Sequence, residues 1–237
     1  MKIIHFYIIL GGSRMEIIKP WVEVEKYNPK KIMKNIEVAC RTCYRSENLI
    51  NDESYKKLLT GCISRGHESI LEHEKVTIRM CCDIGFYKDV TRHRTGVAFS
   101  VESTRYCNYG KDKFGNNIKF IDPVFIKDKE NYKIWVKAME HLEKCYIEMS
   151  NNGAAVDELR MLLPHSTAAI VTMTCNMREW RHILKLRCSK HAHPSIRQNF
   201  IPLLLKFKKD FPELFDDIPY DEEFPVEWYA KVKDMKN

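Results

Sequence analysis

Residues Arg92 to Tyr109 read RHRTGVAFSVESTRYCNY and hold the densest chemistry in the chain. Arg92, His93 and Arg94 stand together, and Glu102-Ser103-Thr104-Arg105-Tyr106 follows after a mostly uncharged spacer. Arginine presents a planar fork of fixed donors and grips phosphate with two hydrogen bonds at once. Two arginine groups around the Ser103 and Thr104 hydroxyls make a cradle for a phosphorylated small molecule. The plainer reading is a solvated basic helix end, where cations oppose the helix dipole.

Four further clusters have suggestive spacing. Gly66-His67-Glu68-Ser69-Ile70-Leu71-Glu72-His73 could suggest a metal. His67 and His73 do not share a helical face as a zinc pair would, and polar turns and caps explain the run equally well. Glu158 to Pro164 sets Arg160 among apolar residues, so its guanidinium must find an anion or reach water. An ion pair with Asp157 or Glu158 is the bland alternative there. Asn176 to Arg187 reads as a helix with Arg178, His182 and, more loosely, Lys185 on one face. A solvated basic helix is its default reading. Cys40-x-x-Cys43 has zinc spacing and His191-x-His193 could complete four ligands, but no second Cys pair accompanies it.

The elements that must position these residues follow from periodicity. Met15–Val24 reads as a strand broken at Pro20, and 30–44 and 55–65 as helices, the second stopped by Gly66. Alternation over 76–82 predicts a strand. A short helix over 85–94 is expected to carry the basic triplet at its C-terminal end. Residues 99–109 should be extended or looped, and 110–117 a polar turn. Helices are predicted over 131–149 and 156–163, then a β-branched strand over 167–174. Asn176 should cap a helix over 178–186, and Pro194 should open a last long helix through Phe207. The charged, proline-punctuated tail from Asp210 reads as a peripheral extension.

The whole chain has 237 residues, 44% hydrophobic and 30% charged, which fits one α/β or α+β domain. The net charge of +7 suits anionic partners. Basic residues are spread out and interrupted by acids, so a nucleic-acid stripe is not evident. Nine scattered cysteines, an odd number, point to a reducing, cytoplasmic compartment rather than a disulfide framework. The apolar run Ile3–Leu10 is too short to span a bilayer and lacks a signal-peptide cleavage pattern. Residues 1–14 are expected to be a dispensable extension, with a single domain over 15–237.

Taken together, these segments resemble the flavin-dependent thymidylate synthases, from about Cys40 to Arg197. RHR with the ESTRYCNY run, GHxSxxEH at 66–73, the Leu-Pro pair at 163–164, and N-x-R with a helix ending in Leu-Arg before His-Ala occur in that family's order. The resemblance implies an α+β domain with a central, mostly antiparallel sheet flanked by helices. It implies a homotetramer with flavin between subunits, and no nucleic-acid or membrane partner. The implied activity is methylation of dUMP to dTMP, with FAD as hydride carrier and NADPH and methylenetetrahydrofolate as cosubstrates, and with no metal.

By matching position, Arg92, His93 and Arg94 would hold the flavin, with Cys43, Ser69, Glu72, Asn176, Arg178, His182, Leu186 and His191 near it. Ser103, Thr104, Arg105 and Arg160 would hold dUMP, with Asp89 near the pyrimidine and Arg187 on the uracil ring. Arg187 and Ser103 would be catalytic, and no cysteine would act as nucleophile. Eight residues separate Arg94 from Ser103 where the family commonly has seven, so a bulge is expected there. Asp89 stands where Gln or Glu is common, His182 where Asn is, and Cys43 where Ser is. The competing classes are a basic nucleic-acid-binding module and a flavin or nucleotide enzyme of other specificity.

Overall fold

The computed structural model describes residues 15–236. The expected N-terminal extension, 1–14, lies outside the described residues. The chain is a mixed α/β protein whose described residues group into two compact units, each built from several stretches of sequence.

The first unit comprises residues 15–19, Cys82–Tyr87 and Val101–Ile170. Strand β1 (Glu16–Ile18) runs parallel to β5 (Lys119–Ile121). The sequence pattern did not predict β5; three residues are too few for period-2 alternation to register. Helix α4 (Lys129–Asn151) is capped by Asp128, whose carboxylate accepts from the Asn131 amide. Its inner face carries Met139, Glu143 and Tyr146 into a core with Tyr109, Ile118, Phe120 and Leu159. Glu143 is buried but satisfied: its oxygens accept from the backbone amides of Met15 and Ile118 at 2.8 and 2.9 Å. The expected helix over 156–163 divides into α5 (Val156–Leu159) and a 3-10 turn at Arg160–Leu162.

The second unit comprises Pro20–Cys81, Lys88–Ser100 and residues 171–236. A five-stranded sheet runs in the order β4 (Val97–Val101), β6 (Ala168–Asn176), β3 (Lys75–Asp83), β2 (Trp21–Val24), β7 (Lys231–Asp234). Strand β2 is antiparallel to β3 and parallel to β7. The Met177 amide bonds the Glu74 carbonyl while Thr77 and Thr174 join hydroxyls at 3.0 Å, the progression of an antiparallel β3–β6 pair. The predicted strand over 15–24 is thus two strands in different sheets, parted at Pro20. Proline lacks the amide that a continuous strand would need there.

Helices α1 (Pro29–Thr42), α2 (Ser54–Ser64), α6 (Met177–Arg187) and α7 (Pro194–Asp210) surround the apolar centre of this unit. Gly66 takes a positive φ of 73° just past α2, the backbone that stops the helix. The core is aromatic: Trp180, Phe200, Phe207, Phe211 and Phe215 are fully buried and meet edge-on or tilted.

Two expectations need correction. The tail is not peripheral. Phe211, Leu214, Phe215 and Ile218 are buried, the first three around the short helix α8 (Pro212–Phe215), and β7 closes the sheet. Proline and charge masked the apolar positions between them. Helix α3 (Ile84–Val90) ends before the basic triplet, which lies in the turn that follows. No helix among the described residues is long and apolar enough to cross a membrane.

Candidate functional site

In the second unit the site is built around α6. Asn176 caps it, its side-chain oxygen accepting from the Glu179 amide at 2.8 Å. Met177, Trp180, Ile183 and Leu184 face the core, and Trp180 anchors the helix by donating its indole N–H to the Val76 carbonyl. The opposite face is thereby presented outward: Arg178, His182 and Leu186 are exposed. Leu186 is 50% exposed, an apolar side chain at the edge of a cationic surface.

Gly96 packs against the cap. Its carbonyl accepts from the Asn176 amide at 3.0 Å, its φ is 66°, and a Cβ there would collide with the Asn176 side-chain amide. This left-handed turn falls inside the spacer where a bulge is expected.

His93 is the buried member of the basic triplet, and Arg92 and Arg94 are exposed. The His93 Nδ1 lies 3.1 Å from Glu179 Oε1, and Arg187 donates from Nε to His93 Nε2 at 3.2 Å. A second arginine donor, Nη2, bonds the Asp89 carbonyl at 2.9 Å. The His182 ring stands edge-on to His93 at 5.5 Å. Arginine can only donate, so Nε2 must accept, and the proton of a neutral imidazole must sit on Nδ1. Burial pushes His93 down to about 4, with the Arg187 and His182 charges adding to the effect. Its contact with Glu179 is therefore a hydrogen bond to a carboxylate rather than an ion pair near neutrality.

The ligating atoms of His93, Glu179 and His182 all lie within 4.8 Å of one another, close enough to hold a cation. Both His93 nitrogens are already engaged, however, and the Arg187 guanidinium against Nε2 repels a second cation.

The GHxSxxEH segment forms a 3-10 turn at Ser69–His73, tied to α6 by two ion pairs. Arg178 meets Glu72 at 2.5 Å and Arg181 meets Glu68 at 3.0 Å. Arg181 is buried, and it also grips Asp217 with two bonds of 2.7 and 2.8 Å. Ser69 and Cys43 are exposed, Cys43 at the end of α1. Cys40 instead faces Cys62, with sulfurs 3.5 Å apart and its thiol pushed up to about 11, first by burial. His191 is exposed, and His193 caps α7 through the Ser195 amide. The Cys40-x-x-Cys43 spacing thus reflects one inward and one outward position.

In the first unit, Ser103 begins a tight turn. Its carbonyl accepts from the Tyr106 and Cys107 amides, and its hydroxyl from the Arg105 amide at 3.3 Å. Glu102 secures this turn, accepting from the Tyr109 hydroxyl at 2.8 Å and the Ile170 amide at 3.2 Å. Arg105 pairs with Asp157 at 3.1 Å, and Glu158 accepts from the Ala155 amide. Neither acid is left for Arg160, which is exposed with no ion-pair partner among the described residues. Thr104 is half-buried in the turn.

Sequence reasoning gave no role to Glu179 or Asp217, and it missed the partners of Glu68, Glu102 and Asp157. Glu179 with His93, Glu68 and Asp217 with Arg181, and Asp157 with Arg105 are far apart in sequence, so spacing gave no signal.

Fold and site define a mixed α/β protein with an arginine- and histidine-bearing surface organised around one capped helix. A family profile described as thymidylate synthase complementing protein matches residues 24–213. The chain belongs to that family, the flavin-dependent thymidylate synthases that its motifs resemble. A flavin-dependent thymidylate synthase of Pyrococcus abyssi is 32% identical over 152 residues, 63% of this chain and 61% of that protein. The chain thus spans less than two thirds of that relative's length. A Geobacter sulfurreducens protein of the same name is 26% identical over 191 residues, 77% of this chain and 80% of its own. The crystal structure of thymidylate synthase ThyX from Helicobacter pylori with FAD and dUMP superposes with a TM-score of 0.68. It is 21% identical, over 84% of this chain and 98% of that one, so the likeness is one of fold.

Proposed function

We propose that this protein catalyses the reductive methylation of dUMP to dTMP. Methylenetetrahydrofolate is the carbon donor, FAD the hydride carrier and NADPH the reductant. The observation that carries the reading is the family match over 24–213, coinciding with Arg187 held by His93 and the Asp89 carbonyl.

The donor set fits a flavin dinucleotide. Arg92 and Arg94 are exposed, with no ion-pair partner among the described residues, and suit a pyrophosphate. His182, Asn176, Leu186, Cys43, Ser69 and His191 line the same ligand, and Arg178 and Glu72 meet it as a pair. When bound, the flavin supplies the hydride chemistry. For dUMP, Ser103, Thr104, Arg105 and Arg160 hold the phosphate, and Asp89 lies at the pyrimidine. Ser103 also acts in catalysis. Arg187 at the carbonyl edge of the uracil stabilises negative charge as C5 attacks the methylene carbon. Preorganised donors of this kind are the largest single contribution in many enzymes.

No cysteine serves as nucleophile in this reading. Burial raises the Cys175, Cys188 and Cys107 thiols above their ordinary range, which disfavours the thiolate that would attack. Residues 15–237 act as one catalytic domain, assembled as a cytoplasmic homotetramer with neither nucleic acid nor membrane as partner.

The test is tritium release from dUMP labelled at C5, with FAD, NADPH and methylenetetrahydrofolate each omitted in turn. Release that needs all of them is expected. No release from a protein that retains flavin would mean another flavin chemistry. Neither release nor flavin would point to the basic binding module, which salt-dependent nucleic-acid binding would then reveal.

A further inference from the structure

Glu179 has no role in the reading above, yet it occupies a distinctive place. It is on α6, with its carboxylate turned to His93 Nδ1 at 3.1 Å; on the other side of that ring Nε2 receives Arg187 Nε–H at 3.2 Å. Both side chains of the Glu179–His93 contact are shielded, with 12% and 6% exposure. The three residues form a directed chain: carboxylate, imidazole, guanidinium. We propose that Glu179 is a positioning residue that locks His93 in the Nδ1–H tautomer, so that Nε2 stays a pure acceptor and aims Arg187 at the uracil.

Arg187 Nε carries a hydrogen and cannot accept. If His93 bore its proton on Nε2, two donors would face each other at 3.2 Å and the guanidinium would turn away. A neutral imidazole has two tautomers of similar energy unless a partner chooses between them. Glu179 enforces from the far side the choice that the Arg187 contact requires, because a carboxylate can only accept. The Asp89 carbonyl, which receives Nη2 at 2.9 Å, supplies the second point that sets the plane of the fork. His182, edge-on at 5.5 Å, limits rotation of the His93 ring. Orienting a side chain through a histidine whose far nitrogen is held by a carboxylate is the logic of the hydrolase triad, here serving an arginine rather than a serine. The kinetic part of this inference rests on the synthase reading; the tautomer does not.

The test has two arms on the full-length protein. Histidine nitrogen-15 labelling, with His93 assigned by its absence in His93→Gln, reads the tautomer directly by NMR. The wild type is expected to carry the proton on Nδ1; a proton on Nε2 overturns the proposal whether or not either Glu179 variant folds. The second arm compares Glu179→Ala with Glu179→Gln, whose amide oxygen still accepts from Nδ1–H. Glu179→Ala should lower kcat for dTMP formation on the order of 10- to 100-fold, well short of the ~10⁴-fold loss when a hydrolase histidine is held in the wrong tautomer. FAD retention should stay near wild type, KM for dUMP should move less than kcat, and Glu179→Gln should recover most of the rate. Wild-type kcat in Glu179→Ala, or equal damage in both variants, overturns the positioning role. A wild type that makes no dTMP yet shows the Nδ1–H tautomer refutes the synthase reading instead.

Discussion

At the residue scale, Arg187 should separate catalysis from cofactor binding. It touches His93 and the Asp89 backbone and leaves alone Arg92 and Arg94, which we propose hold the flavin. Arg187→Ala should lower dTMP turnover by roughly 10²- to 10³-fold, the usual effect of deleting a preorganised donor. Flavin absorbance per subunit should change little, and equal loss of both would exclude the assigned role. His93 makes a second prediction, about pH. Its folded value, about 4, lies below the ordinary 6.5, so the unfolded chain takes up the proton first on acidification. Stability is then full above about pH 6.5 and declines as pH falls toward 4. Replacing His93 by Gln should flatten that limb in urea titrations taken across the window.

At the scale of elements, α6 is a lever held at three places: the Asn176 cap, the Trp180 anchor and the Arg181 clamp. Arg181 joins the Ser69–His73 turn to the tail through Glu68 and Asp217, and its hydrogen bonds keep Asp217 below the usual carboxylate range. Arg181→Met strips a buried cation from partners that water still reaches, and should cost about 1.5–3 kcal/mol by denaturant unfolding. Asp217 contributes stability above its unfolded value and loses it as acid protonates it, so the variant should also depend less on pH below about 4. Gly96→Ala places a Cβ against the Asn176 amide at a positive φ. It should loosen the cap and weaken flavin retention, read as faster FAD loss on gel filtration, while a serine or alanine elsewhere in the 97–101 strand should not.

At the scale of the whole molecule, the tail decides whether the fold stands. Phe211, Leu214 and Phe215 fill the aromatic centre of the second unit, and β7 supplies the sheet with an edge. Phe211→Ala should cost about 3–5 kcal/mol by urea unfolding, the range for emptying a buried aromatic site. A peripheral tail would tolerate it within about 0.5 kcal/mol.

Local pattern was enough to locate most helices, the main strands and the residues that carry charge. Helix spacing, the Asn176 cap, the Gly66 stop and the run of arginines are properties of neighbours in sequence, and elementary sterics and hydrogen bonding act on them directly. The resemblance in motif order pointed to the family for the same reason. What the sequence left open was pairing at a distance: Glu179 with His93, Asp217 with Arg181, Asp157 with Arg105, β7 with β2. An acid and its partner dozens of residues apart leave no period in the chain, and a three-residue strand such as β5 leaves none either. Only the tertiary structure brings those groups within hydrogen-bonding distance, and it is there that the tautomer of His93 and the aim of Arg187 are decided.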